Sequence, residues 1–542
     1  MYFFVDIKGY LFYIAVIFLI GIGYIALTPP WEGYDEIAHY SYTQQIADTG
    51  FPIRNGIKHL SLDVEKYHHI APTPYITVRP LDISHGRITY KSWFESKTSN
   101  YSFPHRKQVI NREYKPGIGI NWQAQHPPLY YIVLAPLVRI TADKSWITQL
   151  FILRVASWTM VTIGLMLILV ANHLTLNKLN PNVVKPVLMI SVTWPLLFPG
   201  FFPEFARLGN DSLVILLMSL VWLLVVMRTP IYKSWWWFLA IGIVLGLGGL
   251  TKITFIPIAF GIFIWIFWLN LFIYKKNQWI TLIKLLMTIF VFFAIVGNFY
   301  LTNFLDKASM TGLVELSQVN KSSFDLIISI FHHPVEVLRG LAGMAMTFAW
   351  GGSTSSAYPP AIFVLPLLLP VFFLLPCAYF GIRKFNIDAE LPILALLITG
   401  SVFGGLLYYL LARISITGYG SGAPGWYFHV LLGPLSLLFG IGLAWFRSKV
   451  PGANLLCKIV LVYATVFSFC IWILQAAMFT GCIYKSENSN KYTAFDWGCL
   501  FDFSTMYSRL SLLASPGLGI FLLCFSILMI LVSLIIYHKQ IR

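Results

Sequence analysis

Charge is scarce in this sequence. Of 542 residues only 11% are Asp, Glu, Lys or Arg, and the acidic ones number 22. Soluble domains carry roughly 25% charged residues, so the shortage excludes an ordinary soluble globule. Cysteine is also sparse, six in all. Cys377, Cys457, Cys470 and Cys524 fall in apolar runs, where Cys behaves as a small hydrophobe. No CxxC spacing occurs, so the cysteines do not suggest a metal site. The first apolar run, Tyr10 to Leu27, is not followed by a small-x-small cleavage site, so it reads as an uncleaved membrane helix. No internal repeat is evident, nor are paired Gly/Pro-broken segments in two halves, the pattern expected of an inverted-repeat transporter.

What the chain has instead is apolar surface: 57% of residues are hydrophobic and mean hydropathy is +0.72. In lipid only helices and closed barrels satisfy the backbone. The apolar runs exceed the roughly 9–11 residues of a barrel strand, which predicts an all-α polytopic membrane protein with about 12 transmembrane helices. The net charge of +16 does not point to nucleic acid, because Lys and Arg gather at span ends and obey the positive-inside rule.

With the N-terminus inside, further spans are expected near 148–172, 186–203, 212–228, 235–251, 255–274, 279–303, 360–382, 391–411, 426–446, 455–478 and 510–537. Inward ends then carry Lys178, Lys185, Arg228, Lys233, Lys275, Lys276, Arg383, Lys384, Arg447, Lys449, Lys539 and Arg542. The chain divides accordingly into a first helix (1–28), a long external loop (29–147), a membrane core (148–303), an external segment (304–359) and a C-terminal bundle (360–542). The long loop ends at Pro127–Pro128, followed by an apolar run of about 13 residues, below the roughly 20 needed to cross. That run is expected to be interfacial or half-inserted. Residues 335–349 read as amphipathic, with a Gly/Ser-rich turn at Gly351 to Ser356. Trp235 to Trp237 suits an interfacial anchor. Cys482 and Cys499 share one polar loop, which suits a disulfide if the loop faces an oxidising compartment.

This topology collects polar groups on the external side. PPWEGYDEIAHYSY, Pro29 to Tyr42, begins where the first apolar run ends and holds Asp35, Glu36 and His39. Asp35 and His39 are four apart and would share a helix face. Two acids and an imidazole at a bilayer edge suit proton abstraction or cation binding; a plain helix-capping role for the acids is the competing reading. Seven of the twelve histidines, His39, His59, His68, His69, His85, His105 and His126, lie in the long loop, and His68–His69 reads as a solvated pair. Glu204, Arg207, Asn210 and Asp211 form the second external turn, Lys252 lies in the third, and Arg413 precedes GYGSGAPGWYFH, which ends at His429. Ionisable groups at membrane depth are costly and point to function. Helix capping or snorkelling is open to Arg207 and Arg413, and a place in the interfacial belt to His429.

The ordered set YDEIAHY, HPPLYY (His126 to Tyr131), ARLGNDS (Ala206 to Ser212) and Thr251-Lys252 resembles the GT-C glycosyltransferases, in the branch of protein O-mannosyltransferases and lipid A aminoarabinose transferase. The likeness covers roughly residues 10–260 and departs in having His126 where some members have Lys. It implies a GT-C-like fold and transfer of a sugar from a polyprenyl-phosphate carrier to a hydroxyl on a lipid, glycan or protein acceptor. It places Asp35 as general base with Glu36, His39 and Asp211 in the catalytic group. His126, Arg207, Lys252 and Arg413 would bind the donor phosphate, and Tyr34, Asn210, Tyr130 and His429 the acceptor or sugar. It implies no obligatory cofactor, although Asp35, Glu36 and Asp211 offer oxygen ligands to a divalent metal. The setting would be a bacterial cytoplasmic membrane, multi-pass, with the active face extracytoplasmic. A transporter or flippase for a lipid-linked or anionic solute is the alternative, and a non-catalytic assembly protein a third.

Overall fold

Pro29 and Pro30 end the first helix, because neither can donate a backbone hydrogen bond and the residue before a proline is pushed out of the helical region. In the computed structural model helix α1 runs Tyr2–Leu27, and the Thr28 hydroxyl closes its last turn on the Tyr24 carbonyl at 2.8 Å. The structure describes residues 2–50, 59–68, 90–95, 113–144, 146–175, 181–227, 234–272, 278–307, 323–353, 359–420, 422–485, 493–513, 517, 519–522 and 524–527.

The first loop builds α2 (Glu36–Thr49), β1 (His59–Ser61), α3 (Leu62–His68), α4 (Tyr90–Glu95) and β2 (Pro116–Ile120). Strands β1 and β2 pair antiparallel. A 3₁₀ turn, Trp122–Gln125, leads into α5 (Leu129–Ile140), with Pro128 at its N-cap. The core follows with α6 (Trp146–Thr175), α7 (Pro181–Leu197), α8 (Phe201–Phe205), α9 (Asp211–Val226), α10 (Trp235–Gly249), α11 (Phe255–Phe272) and α12 (Gln278–Lys307). Then come α13 (Ser323–His332), α14 (Pro334–Ala349), α15 (Ala361–Lys384) and α16 (Glu390–Thr417). A second 3₁₀ turn, Gly425–Leu431, opens α17 (Leu432–Lys449), and α18 (Ala453–Phe479) follows. The chain's last described elements are the hairpin β3 (Ile483–Lys485) and β4 (Thr493–Phe495), α19 (Trp497–Phe501) and α20 (Phe503–Leu513). Among the described residues the fold is all-α but for two short two-stranded sheets, which hydropathy did not signal.

Among the described residues seven helices are long and apolar enough to cross a membrane, and five more are apolar but shorter, Leu129–Ile140 being one of them. The protein is multi-pass. Long helices carry exposed Leu, Ile and Phe on one side, such as Phe290 and Phe293 on α12 and Phe372 and Phe373 on α15; in lipid such faces need no cover. Where helices meet, small residues let backbones approach: a Cβ at Gly442 of α17 would lie 2.0 Å from the Leu374 carbonyl of α15. The amphipathic stretch near 335–349 is α14. Most of the expected last span lies outside the described residues. So do Lys178, Arg228, Lys233, Lys275, Lys276, Lys539, Arg542, His69, His85, His105 and the end of the Gly/Ser-rich turn, Thr354 to Ser356.

The loops expected on one side of the membrane do meet on one face. The hydroxyl of Tyr34 donates to the Gly351 carbonyl at 2.6 Å, and its ring stacks on Trp426, 5.3 Å between centroids. Tyr90 donates to Glu32 at 2.5 Å, and Lys91 lies 3.7 Å from the ring centre of Tyr484. Cys482 and Cys499 form a disulfide, with 5.3 Å between their Cα atoms. At the opposite end Lys384 of α15 donates to Ser448 of α17 at 2.6 Å, which places these two basic helix ends together.

Candidate active site

Two buried polar assemblies sit beneath the turn at residues 29–36. Glu36 is fully buried and takes a two-pronged bond from Arg154 of α6, at 2.7 Å from Nε and 2.6 Å from Nη2. The backbone N–H groups of Trp31 and Leu208 also donate to it, at 3.1 and 3.0 Å. The other two guanidinium contacts of Arg154 go to the carbonyls of Thr28 and Pro29, at 2.6 and 2.8 Å. Glu36 is therefore a fastening between α1, α2, α6 and the second turn, and not a group open to substrate. Expected in the catalytic group, it is corrected to that role.

The second assembly joins Glu204, Arg207, Asp211 and Lys252, all buried. Arg207 binds Glu204 through Nη2, lies 3.7 Å from Asp211 and donates from Nη1 to the Tyr34 carbonyl at 2.7 Å. Lys252 bonds both Asp211 oxygens at 2.7 Å and lies 4.3 Å from the ring centre of Tyr427. Two carboxylates face two cations, so the group balances its own charge. Burial pushes the Glu204 carboxyl up to about 7 against the pull of Arg207, and Asp211 adds to the rise.

Asp35 differs from both. It is exposed and has left-handed backbone, φ 58 and ψ 10, which Asp tolerates better than most residues. Asp35 and His39 thus do not share a helix face as the spacing suggested: Asp35 is the N-cap of α2, and its carbonyl accepts from the His39 N–H at 3.0 Å. The turn aims the Asp35 carboxylate at the 3₁₀ segment, where Trp122 Nε1 donates to one oxygen at 2.7 Å and Gln123 Nε2 to the other at 3.1 Å. Both donors are neutral. The carbonyl of Tyr34, the residue before it, accepts from Arg207 at 2.7 Å, which puts Asp35 beside the second assembly.

The other candidates divide. His39 is buried, with Nδ1 2.9 Å from the Tyr131 hydroxyl; burial, then Arg207, Lys252 and His126, hold its imidazole well below the usual range. His126 is half-buried at the end of the 3₁₀ turn, and burial and Lys252 push it down to about 3, with Asp211 opposing. A neutral imidazole at pH 7 is a hydrogen-bond partner for phosphate, not a charge. Asn210 donates to the Thr251 carbonyl at 3.5 Å, close to Asp211. Tyr34 reaches Gly351 and Trp426, as above.

Tyr130 is corrected to a structural role, as it is fully buried with its hydroxyl 2.7 Å from Ser157 and accepting from the Gly209 N–H at 3.0 Å. His429 is likewise no belt or substrate residue. It is fully buried, accepts from Trp194 Nε1 at 3.0 Å and stacks on Phe348. Arg413, near the end of α16, packs against Gly422. His59, counted with the loop histidines, sits at the start of β1.

The three carboxylates considered for a divalent metal do not converge. Glu36 faces Arg154, Asp211 faces Lys252 and Asp35 faces Trp122 and Gln123. Among the described residues no group of three His, Cys, Asp or Glu is placed to hold an ion. Sequence reasoning missed Arg154, Glu32, Trp122 and Gln123. Arg154 had a usable signal, as the one ionisable residue in the run FILRVASW. The others had none, because their partners are distant in sequence.

No protein-family model matches the chain, and no curated protein does. Among solved structures the chain is similar to ArnT from Cupriavidus metallidurans in the apo state, at 14% identity and a TM-score of 0.38, over 75% of this chain and 67% of that one.

Proposed function

We propose that this protein is a GT-C-type membrane glycosyltransferase that moves a sugar from a polyprenyl phosphate to an acceptor hydroxyl, with inversion, using Asp35 as general base. The observation that carries the reading is the exposed Asp35 carboxylate, fixed by two neutral donors beside a buried group that holds Arg207 and Lys252. A base needs access and orientation, and the neighbouring cations suit an anionic leaving group.

In the reaction the acceptor oxygen forms a bond to the anomeric carbon as the bond from that carbon to the phosphate oxygen breaks. The electron pair leaves with the phosphate, and the acceptor's proton passes to Asp35. The transition state is oxocarbenium-like. Arg207 and Lys252, with His126 as a neutral partner, face the leaving group; the phosphate would share these cations with Glu204 and Asp211. Asp211 and Glu204 then serve to place the cations rather than to act on the sugar. Arg413 keeps its proposed part at the carrier end, and Tyr34 and Asn210 theirs near the acceptor. His39, bonded to Tyr131, orients the floor of the site. The setting is a bacterial cytoplasmic membrane with this face outward, where the Cys482–Cys499 disulfide suits an oxidising compartment.

The test uses full-length protein in detergent with radiolabelled polyprenyl-phosphate sugars. Asp35→Asn should lower sugar release or transfer by about 10²- to 10⁴-fold with an unchanged melting midpoint. Equal turnover would remove Asp35 as the base. If no donor in a broad panel binds or reacts, the transporter and non-catalytic assembly readings take precedence.

A further inference from the structure

Gln123 sits in the 3₁₀ turn with all of its polar atoms fixed but one. Its N–H donates to the Asn121 side chain at 3.0 Å, and Asn121 is itself tied to the Ala38 carbonyl of α2 at 3.1 Å. Its carbonyl accepts from the His126 N–H at 3.0 Å. Its Nε2 donates to Asp35 at 3.1 Å. That last bond decides which way the side-chain amide points, because a carboxylate oxygen accepts and the amide oxygen cannot donate. The amide oxygen, Oε1, is then left buried with no hydrogen-bond partner, in a residue only 6% exposed.

A buried acceptor without a donor is costly, and native structures seldom leave one without a reason. This one lies about 2.2 Å from the amide nitrogen that holds Asp35, so whatever satisfies it stands next to the candidate base. The turn is tied at Asn121 and at His126, which limits how far the amide can move toward another protein donor.

We infer that Gln123 is a substrate-binding residue whose Oε1 accepts a hydrogen bond from a hydroxyl or amine adjacent to the hydroxyl that Asp35 meets. The ligand class is a polyhydroxylated or amino-substituted ring, as a sugar presents. The inference rests on the glycosyltransferase reading and deepens it. The reacting hydroxyl gives its proton to Asp35, so Gln123 must be served by a second, neighbouring donor. That donor belongs either to the transferred sugar or to a sugar acceptor.

The experiment compares wild type and Gln123→Met with polyprenyl-phosphate hexoses and pentoses and their single-position deoxy analogues. One arm follows hydrolysis, with water as acceptor; the other follows transfer to simple alkyl glycosides and their deoxy forms. Wild type should favour one hydroxylated probe over its deoxy partner by about tenfold in kcat/KM, and Gln123→Met should lose that preference. A preference seen in hydrolysis assigns the hydroxyl to the transferred sugar; one seen only in transfer assigns it to the acceptor. A residue that merely positions Asp35 would slow hydroxylated and deoxy probes alike, and that result overturns the inference while leaving the glycosyltransferase reading intact. The wild-type comparison needs no variant: equal rates at every deoxy position also overturn it. Absence of binding or turnover with every donor defeats both readings together.

Discussion

Glu36 and Arg154 are separated by 118 residues and both almost wholly buried, with side chains 0% and 4% exposed. Removing one partner leaves the other charge uncompensated, at a cost of about 3–5 kcal/mol. Glu36→Gln and Arg154→Met should each lower the melting midpoint sharply, and the double variant should recover part of the loss; thermal unfolding of the purified proteins reads this directly. A double variant as unstable as the sum of the singles would mean the two do not act as a pair. His126 gives a pH prediction. Its folded pKa is depressed to about 3 from an ordinary 6.5, so the unfolded chain takes up the proton first as pH falls. Its contribution is present above pH 6.5 and is lost between about 6.5 and 3. Wild type should therefore lose stability relative to His126→Gln as pH falls through that window, in melting curves collected at matched ionic strength.

The C-terminal hairpin acts as an element on the first loop. Gly481, with φ 75, allows the chain to pass against the backbone of Lys91, where an added Cβ would lie 2.7 Å from the Lys91 nitrogen. The Arg509 guanidinium sits 5.0 Å from the ring centre of Phe94, and Tyr90 packs near Phe479 at 5.9 Å. Helix α4 is thereby held, and through Tyr90 it holds Glu32, four residues before Glu36. The disulfide closes a sequence separation of 17, for which loop closure contributes about 3 kcal/mol. Replacing both cysteines by Ser should speed proteolysis within α4 while α6 and α9 keep their protection from hydrogen exchange. Unchanged cleavage would show that α4 does not depend on the hairpin.

For the whole molecule the prediction concerns sidedness. The 29–36 turn, Gly351, Trp426 and the disulfide hairpin meet on one face, and Lys384 and Ser448 on the other. In intact cells a membrane-impermeant maleimide should label Ser504→Cys, which is exposed beside the hairpin, and should reach Ser448→Cys only after the membrane is opened. The reverse pattern would turn the protein over and move the site to the inner surface.

Hydropathy and charge position were enough to predict an all-α multi-pass chain, the short apolar α5 and the amphipathic α14, because span length and lysine placement are local properties. The cluster of Asp35, Arg207, Asp211, His126 and Lys252 was also legible, since each sits at the mouth of a loop assigned to one side. Roles within the cluster were not. Neighbours in sequence, Asp35 and Glu36 point to different partners, because a left-handed turn separates their side chains and Arg154, on another helix, captures one of them. Tyr130 and His429 looked accessible and are sealed in the core, since burial depends on which helices pack across them. Hydropathy and charge placement along the chain thus settled the membrane class. Which carboxylate a cation binds and which stays open was settled by packing alone, because that depends on contacts between residues 41 to 118 positions apart.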